Sequence, residues 1–91
     1  MKFRLSCMYD NFNRDARDVV EVSSYEDLFR RMESFFESCG GISEIGFFSV
    51  GIETTMEMEY QWSSASSESW TDVKNEMMEY FKGVFDNETQ N

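Results

Sequence analysis

Apolar and polar residues alternate at the start of the chain. In residues 2–8, Phe3, Leu5 and Cys7 alternate with more polar positions, which is the period of two expected for a strand with one buried face. A β-branched run at 18–22 follows a polar segment at 10–17. This run predicts a second strand that returns antiparallel to the first as a hairpin.

The pattern then changes to the period of a helix. Ser23 and Glu26 have the spacing of a capping box, and Gly40 and Gly41 are residues that a left-handed helix end favours. Between these signals, apolar residues recur at steps of three and four and predict an amphipathic helix. They are Tyr25, Leu28, Phe29, Met32, Phe35, Phe36 and Cys39.

Two more strands and a second helix are predicted in the rest of the chain. Residues 42–50 are rich in Ile and Phe, and residues 52–62 alternate, so a hairpin turning near 50–53 is expected. The alternating apolar row from Met56 to Trp62 should face the helices. After a serine-rich connection at 63–69, a helical stripe follows, and residues 86–91 are predicted to be a flexible polar tail. The stripe consists of Trp70, Val73, Met77, Tyr80, Phe81 and Val84.

The predicted order of elements is β-β-α-β-β-α. An antiparallel sheet with both helices packed on one face buries all of the apolar stripes, so the fold class predicted is α+β. The chain of 91 residues has room for one core, and we therefore expect residues 1–91 to form a single acidic domain.

Composition places this domain among folded proteins. Apolar residues make up 41% of the chain and aromatic residues 16%, which is more than disordered chains carry. The sequence contains no run of about 18 apolar residues and no hydrophobic signal region near its start, so membrane insertion and secretion are not expected. Cys7 and Cys39 stand alone and are predicted to be buried, reduced thiols, as in a cytoplasmic protein.

Charge is distributed unevenly along the chain. The net charge is −10, yet residues 1–31 hold six acids and six bases, whereas residues 32–91 hold twelve acids and two bases. A protein of this charge repels nucleic acid and anionic membranes, so direct binding to either is not expected.

The sequence predicts no enzyme. It contains no His, which excludes Ser-His and Cys-His pairs, and it has no phosphate-binding glycine loop. The segment 10–15 is rich in Asp and Asn but lacks the order of an EF-hand loop, and we interpret it as a polar turn. No cofactor and no metal site are predicted.

Two rows of carboxylates are the strongest functional signal. A helical row extends over about 16 Å, with few bases beside it, and like charges one helical turn apart destabilise a helix. A second row shares one face of the fourth predicted strand, at a spacing of about 6.6 Å. The helical row is Glu68, Asp72, Glu76 and Glu79, and the strand row is Glu53, Glu57 and Glu59.

Such rows allow two interpretations. Surface acids can serve solubility alone. Alternatively, the rows bind a basic protein surface. Phosphates of one DNA strand follow each other every ~3.4 Å along the axis but lie farther apart through space because the strand winds, so carboxylates at about 6–7 Å are a substitute for them.

In size, charge and its two carboxylate rows the chain resembles the small acidic DNA-mimic inhibitors of bacteriophages, which include anti-restriction proteins of T-even phages and some anti-CRISPR proteins. The resemblance implies a non-enzymatic inhibitor that occupies the DNA site of a basic host protein in the cytoplasm. The partner would be a restriction nuclease such as McrBC, or a nucleoid protein, and a homodimer could extend the acidic surface. The arginines of the first half depart from an all-acidic mimic and suggest a neutral back surface or a self-association contact.

An alternative function is that of an acidic adaptor or regulator, including the anti-CRISPR type. Such a protein would bind a basic surface on a host protein without competing with DNA. Both functions predict binding that weakens with salt, but only the mimic displaces DNA.

Overall fold

The computed structural model describes residues 1–54 and 60–89, and it confirms the predicted element order and class. Four strands form one antiparallel sheet in the order β2-β1-β3-β4. The strands are β1 (Lys2–Tyr9), β2 (Arg14–Glu21), β3 (Ile45–Ile52) and β4 (Tyr60–Ser63). The helices are α1 (Tyr25–Ser38) and α2 (Trp70–Thr89), with a short 3-10 turn at Ile42–Glu44.

Both helices cover the same face of the sheet, as predicted. On β1 the buried residues Phe3, Leu5 and Cys7 alternate with residues that are half-buried or exposed. The ring of Phe3 lies 5.4 Å from that of Phe81 on α2, and it also packs against Phe85 at 5.8 Å. Rings of α1 reach the neighbouring strand β3, where Phe36 lies 4.8 Å from Phe48. The core is therefore one layer of interlocking side chains between the sheet and the helices.

Helix α1 begins one residue later than its capping signal suggested. Ser24, not Ser23, is the N-cap, and its hydroxyl accepts a hydrogen bond of 3.1 Å from the backbone N–H of Asp27. The helix ends as predicted, because Gly40 and Gly41 both have positive φ and the Gly41 N–H donates to the Phe36 carbonyl.

Strand β2 is longer than predicted and the turn before it is tighter. The strand begins at Arg14, and residues 10–13 make the turn, closed by a hydrogen bond of 3.0 Å from the Asn13 N–H to the Asp10 carbonyl. Asp10, Asn11 and Phe12 all have positive φ, which is unfavourable for side chains other than glycine. The start of β2 was not predicted because its sequence shows little apolar alternation. The strand lies at the edge of the sheet and is mostly exposed.

The second half differs from prediction at three boundaries. The described part of β4 is Tyr60–Ser63, whereas the predicted strand began at residue 52, and Glu53 and Thr54 lie in a turn after β3. Met56 and Met58 lie outside the described residues, while Trp62 is buried on the helical side as expected. Helix α2 continues to Thr89 and therefore extends into the segment 86–91 that was predicted to be a tail. The buried Phe85 explains the extension, because it adds another turn of core contacts.

Gly83 occupies an exposed interior position of α2, where a glycine weakens the helix. A Cβ atom at this position would meet no atom within 4 Å. We therefore expect Gly83→Ala to raise the free energy of unfolding by about 1 kcal/mol, measured as a higher urea midpoint at an unchanged slope.

Gly41→Ala is the matched control for this change. A Cβ at Gly41 also meets open space, but the backbone there has φ of 95°, so this variant should lose about 1–3 kcal/mol. Equal effects of the two substitutions would contradict the assignment of Gly83 to a regular helix.

Candidate protein-binding surface

The local sequence of α2 fixes which of its side chains face solvent. Ser69 caps the helix, since its hydroxyl accepts a hydrogen bond of 3.2 Å from the Asp72 N–H. The stripe Val73, Met77 and Phe81 is buried against the sheet. The register of this stripe leaves three of the predicted carboxylates exposed on the helix, namely Asp72, Glu76 and Glu79.

The charges of α2 are segregated to opposite sides of the helix. Successive residues are rotated by about 100°, which places the three carboxylates on the side that bears Tyr80, whose ring packs against Tyr60 of β4 at 5.4 Å. The other side faces α1, where the Lys74 ammonium pairs with the Glu33 carboxylate at 3.2 Å. The carboxylates thus form a row toward the β4 edge, which we call the α2 acidic row and define as Asp72, Glu76 and Glu79.

Helix stability accounts for only part of the α2 acidic row. Asp72 lies in the first turn, where the helix dipole favours an acid. Glu76 follows Asp72 by four residues and precedes Glu79 by three, so it has a like charge on each side along the helix. Neither α1 nor α2 carries a base in its last turn, although the dipole would favour one there. Glu79 is followed three residues later by Lys82, a spacing that favours an opposite-charge pair, so Glu76 is the acid retained against local electrostatic preference.

The remaining predicted carboxylates do not join this row on the helix. Glu68 precedes α2 and lies in the serine-rich connection, so its assignment to the helix is wrong; its carbonyl accepts a hydrogen bond of 3.2 Å from the Trp62 indole. Glu53 is half-buried in the turn after β3, and its N–H donates to the Lys2 carbonyl at 2.9 Å, so its assignment to the fourth strand is also wrong. Glu57 and Glu59 lie outside the described residues, so the strand row stays a prediction at those positions.

The uncovered face of the sheet combines exposed apolar residues with charges of both signs, since Asp15 and Glu21 share it with Arg17. Met8 and Val19 lie on it with 38% and 52% of their surface exposed, beside Arg17, which pairs with Ser6 in the sheet register. The turn before β2 folds the Phe12 ring over this face, toward Gly46, where an added Cβ would lie 2.6 Å from the ring. The exposed apolar residues therefore lie among charges of both signs on the side of the sheet opposite the helices, and Arg17 is one of these charges.

The two cysteines are buried, reduced thiols, as predicted, and the structure brings them together as a pair. Their sulfur atoms lie 3.6 Å apart, and both residues are buried and reduced. Burial, together with the hydrogen bond to Cys39, raises the pKa of the Cys7 thiol from 9.0 to about 12. A thiol with a raised pKa is a poor nucleophile, so this pair is better suited to packing than to chemistry.

Other kinds of site have little support in the described ranges. Within residues 1–54 and 60–89, no group of three or more Cys, Asp or Glu side chains is arranged to hold a metal ion. A shallow groove of about 280 Å³ lies between the helices, with Phe36 and Trp70 on its lining and Lys74 at its rim. Over the same described ranges, neither helix combines the length and apolarity needed to cross a bilayer.

Comparisons with known proteins found no match. No family model, no curated protein and no solved structure matches it. The grounds for assigning a function are therefore the surfaces described above.

Within the α2 acidic row, the charge of Glu76 should destabilise the folded protein, whereas the charge of Asp72 should stabilise it. We expect Glu76→Gln to raise the free energy of unfolding by about 0.2–0.5 kcal/mol for each like-charge neighbour that it relieves. Asp72→Asn should instead lower it, because the lost first-turn charge contributes about 0.3–1 kcal/mol, which exceeds the about 0.2–0.5 kcal/mol of repulsion with Glu76 that is relieved. Urea unfolding at low and high salt tests both, since salt should shrink the two differences. A loss of stability in both variants would show that Glu76 is not under repulsion.

The thiol pair predicts a specific loss of stability in alkali. The folded protein holds the Cys7 proton to a higher pH than the unfolded chain does, so this contribution is complete below about pH 9 and declines as pH rises toward 12. The decline is at most about 1.4 kcal/mol per pH unit. The free energy of unfolding, measured with urea across this pH range, should fall more steeply for the native protein than for the Cys7→Ala variant. Parallel profiles would contradict the raised pKa.

Proposed function

We propose that the protein is a non-enzymatic inhibitor that uses the α2 acidic row to occupy the DNA-binding site of a basic protein. The observation that carries the proposal is the one-sided placement of exposed carboxylates on α2. Asp72, Glu76 and Glu79 lie together on the β4 side of the helix, while Lys74 is drawn to the other side by Glu33.

The spacing of the row supports a DNA-like partner surface. Along the helix axis, Asp72 and Glu76 are about 6 Å apart and Glu76 and Glu79 about 4.5 Å apart. Phosphates of one DNA strand follow each other every ~3.4 Å along the axis but lie farther apart through space because the strand winds, so the side chains that bind them meet negative charges at comparable intervals. A surface serving solubility alone has no need to hold acids one turn apart on one side of a helix, at a cost to that helix.

Competition with DNA is the test that separates this function from the adaptor function. A basic DNA-binding protein, either a restriction nuclease or a nucleoid protein of the host, is bound to a fluorescently labelled duplex at low salt. The acidic protein is then added while anisotropy is recorded. We expect displacement of the duplex, with an apparent affinity that weakens steeply as salt rises.

Two double variants of equal net charge locate the binding surface. Glu76→Gln with Glu79→Gln should lower the apparent affinity in the displacement experiment about fivefold, because each lost charge contributes about 0.5 kcal/mol to binding. Asp15→Asn with Glu21→Gln changes exposed acids of β2 and should leave displacement nearly unchanged. Equal weakening by both pairs would mean that total charge, not the α2 acidic row, governs binding.

The adaptor function predicts a different outcome of the same experiment. An adaptor would bind the basic protein and form a ternary complex, so anisotropy would rise rather than fall. Absence of any interaction with several basic DNA-binding proteins at low salt would leave solubility as the role of the acids and overturn the proposal.

A further inference from the structure

We infer that the α2 acidic row recognises arginine rather than lysine in its partner, and that Tyr80 is the residue that makes this distinction. The inference rests on the proposed function, because it names the partner's chemistry at the same surface. It follows from three neighbouring positions on the β4 side of α2, which are Glu76, Tyr80 and Gly83.

Tyr80 presents an aromatic ring within the acidic surface. Four large apolar side chains are exposed in the described ranges, and three of them lie on or next to β1 and β2; Tyr80, 40% exposed, is the one on a helix. Its ring packs against Tyr60 at 5.4 Å and against Phe81 at 5.1 Å. These ring contacts hold the orientation of Tyr80 while part of its surface stays open to solvent.

Glu76 lies one helical turn before Tyr80 and is also exposed. Side chains of a helix lean toward its N-terminus, so the Tyr80 ring leans over the turn that contains Glu76. Residues four apart have Cβ atoms about 5–6 Å from each other. A carboxylate and an aromatic ring are thus neighbours on one surface, as required to pair with a cation and stack against it at once.

Gly83 keeps this surface accessible from the other side. A side chain at position 83 would lean back toward Glu79 and Tyr80, and glycine has none. A Cβ there would meet no atom within 4 Å, so packing inside the chain does not require the glycine. Since glycine also weakens a helix interior, an open path to Tyr80 is a physical reason for its presence.

The chemistry of this surface suits a guanidinium group better than an ammonium group. Arginine is planar and weakly hydrated, so it can stack on Tyr80 while its N–H groups donate to Glu76 or Glu79. Lysine is compact and strongly hydrated, and gains mainly the charge interaction. In DNA-binding proteins both residues contact phosphates, but arginine makes the commonest specific contact to base edges. A surface selective for arginine would therefore meet the residues that read sequence, as well as those that bind the backbone.

Two short peptides of equal length test the inference directly. One alternates glycine with arginine and the other alternates glycine with lysine, and each is titrated into the isotope-labelled protein at low salt while amide NMR spectra are recorded. We expect the arginine peptide to bind about two- to fivefold more tightly, with the largest shifts at Tyr80 and Gly83. Equal affinities would overturn the inference but leave the acidic row as a binding surface. Failure of both peptides to bind would count against the inference and the proposed function together.

Two variants identify the source of the preference. Tyr80→Leu should make the two affinities similar, because it weakens the binding of the arginine peptide alone. Circular dichroism serves as the control that this variant is folded. Gly83→Gln keeps Tyr80 but covers its ring with the glutamine side chain. This variant should also reduce the preference for the arginine peptide, while the loss of glycine makes the helix more stable. Glu76→Gln with Glu79→Gln should weaken both peptides. A preference that survives both Tyr80→Leu and Gly83→Gln would overturn the role assigned to Tyr80.

Discussion

The structure depends on the packing of aromatic rings between the sheet and its two helices. Phe3 lies at the centre of one group, against Phe81 and Phe85, and Phe36 lies in another, against Phe48 and Trp70. Each group joins a strand to a helix, so the two helices are fixed over the same face of the sheet. Large rings also supply much buried area in a short chain, which a domain of this size needs in order to fold.

That packing decides where the charges lie. Once Val73, Met77 and Phe81 face the sheet, the rotation of α2 is set, and the α2 acidic row must point outward beside Tyr80. The same constraint turns Lys74 toward α1 and its partner Glu33. Burial of the apolar stripe therefore fixes the rotation of α2, and this rotation determines the directions in which its charged side chains point.

The sequence is informative wherever burial is periodic. The alternation of Phe3, Leu5 and Cys7 predicted β1, and the stripe of α1 predicted that helix, because each element buries one face. The edge strand β2 was predicted too short because its exposed positions carry no such pattern. For the candidate site, Asp72, Glu76 and Glu79 were found from helical spacing, whereas Glu68 was placed on the helix because Ser69 was not recognised as the N-cap among the serines of the connection. The nearness of Tyr60 to Tyr80 results from packing and has no local signal.

Strand β2 has a consequence for how the protein can assemble. It forms an outer edge of the sheet, where unpaired backbone groups could template a strand from another chain. Charged side chains occupy most of its length, Arg14, Asp15, Arg17, Asp18 and Glu21, and charged edges discourage such pairing. Edge-to-edge aggregation is therefore disfavoured on this side of the sheet even where the protein is concentrated. At the β2 edge, contacts between copies, or with a partner, are directed to the faces of the molecule, where side chains and not backbone groups determine which surfaces fit.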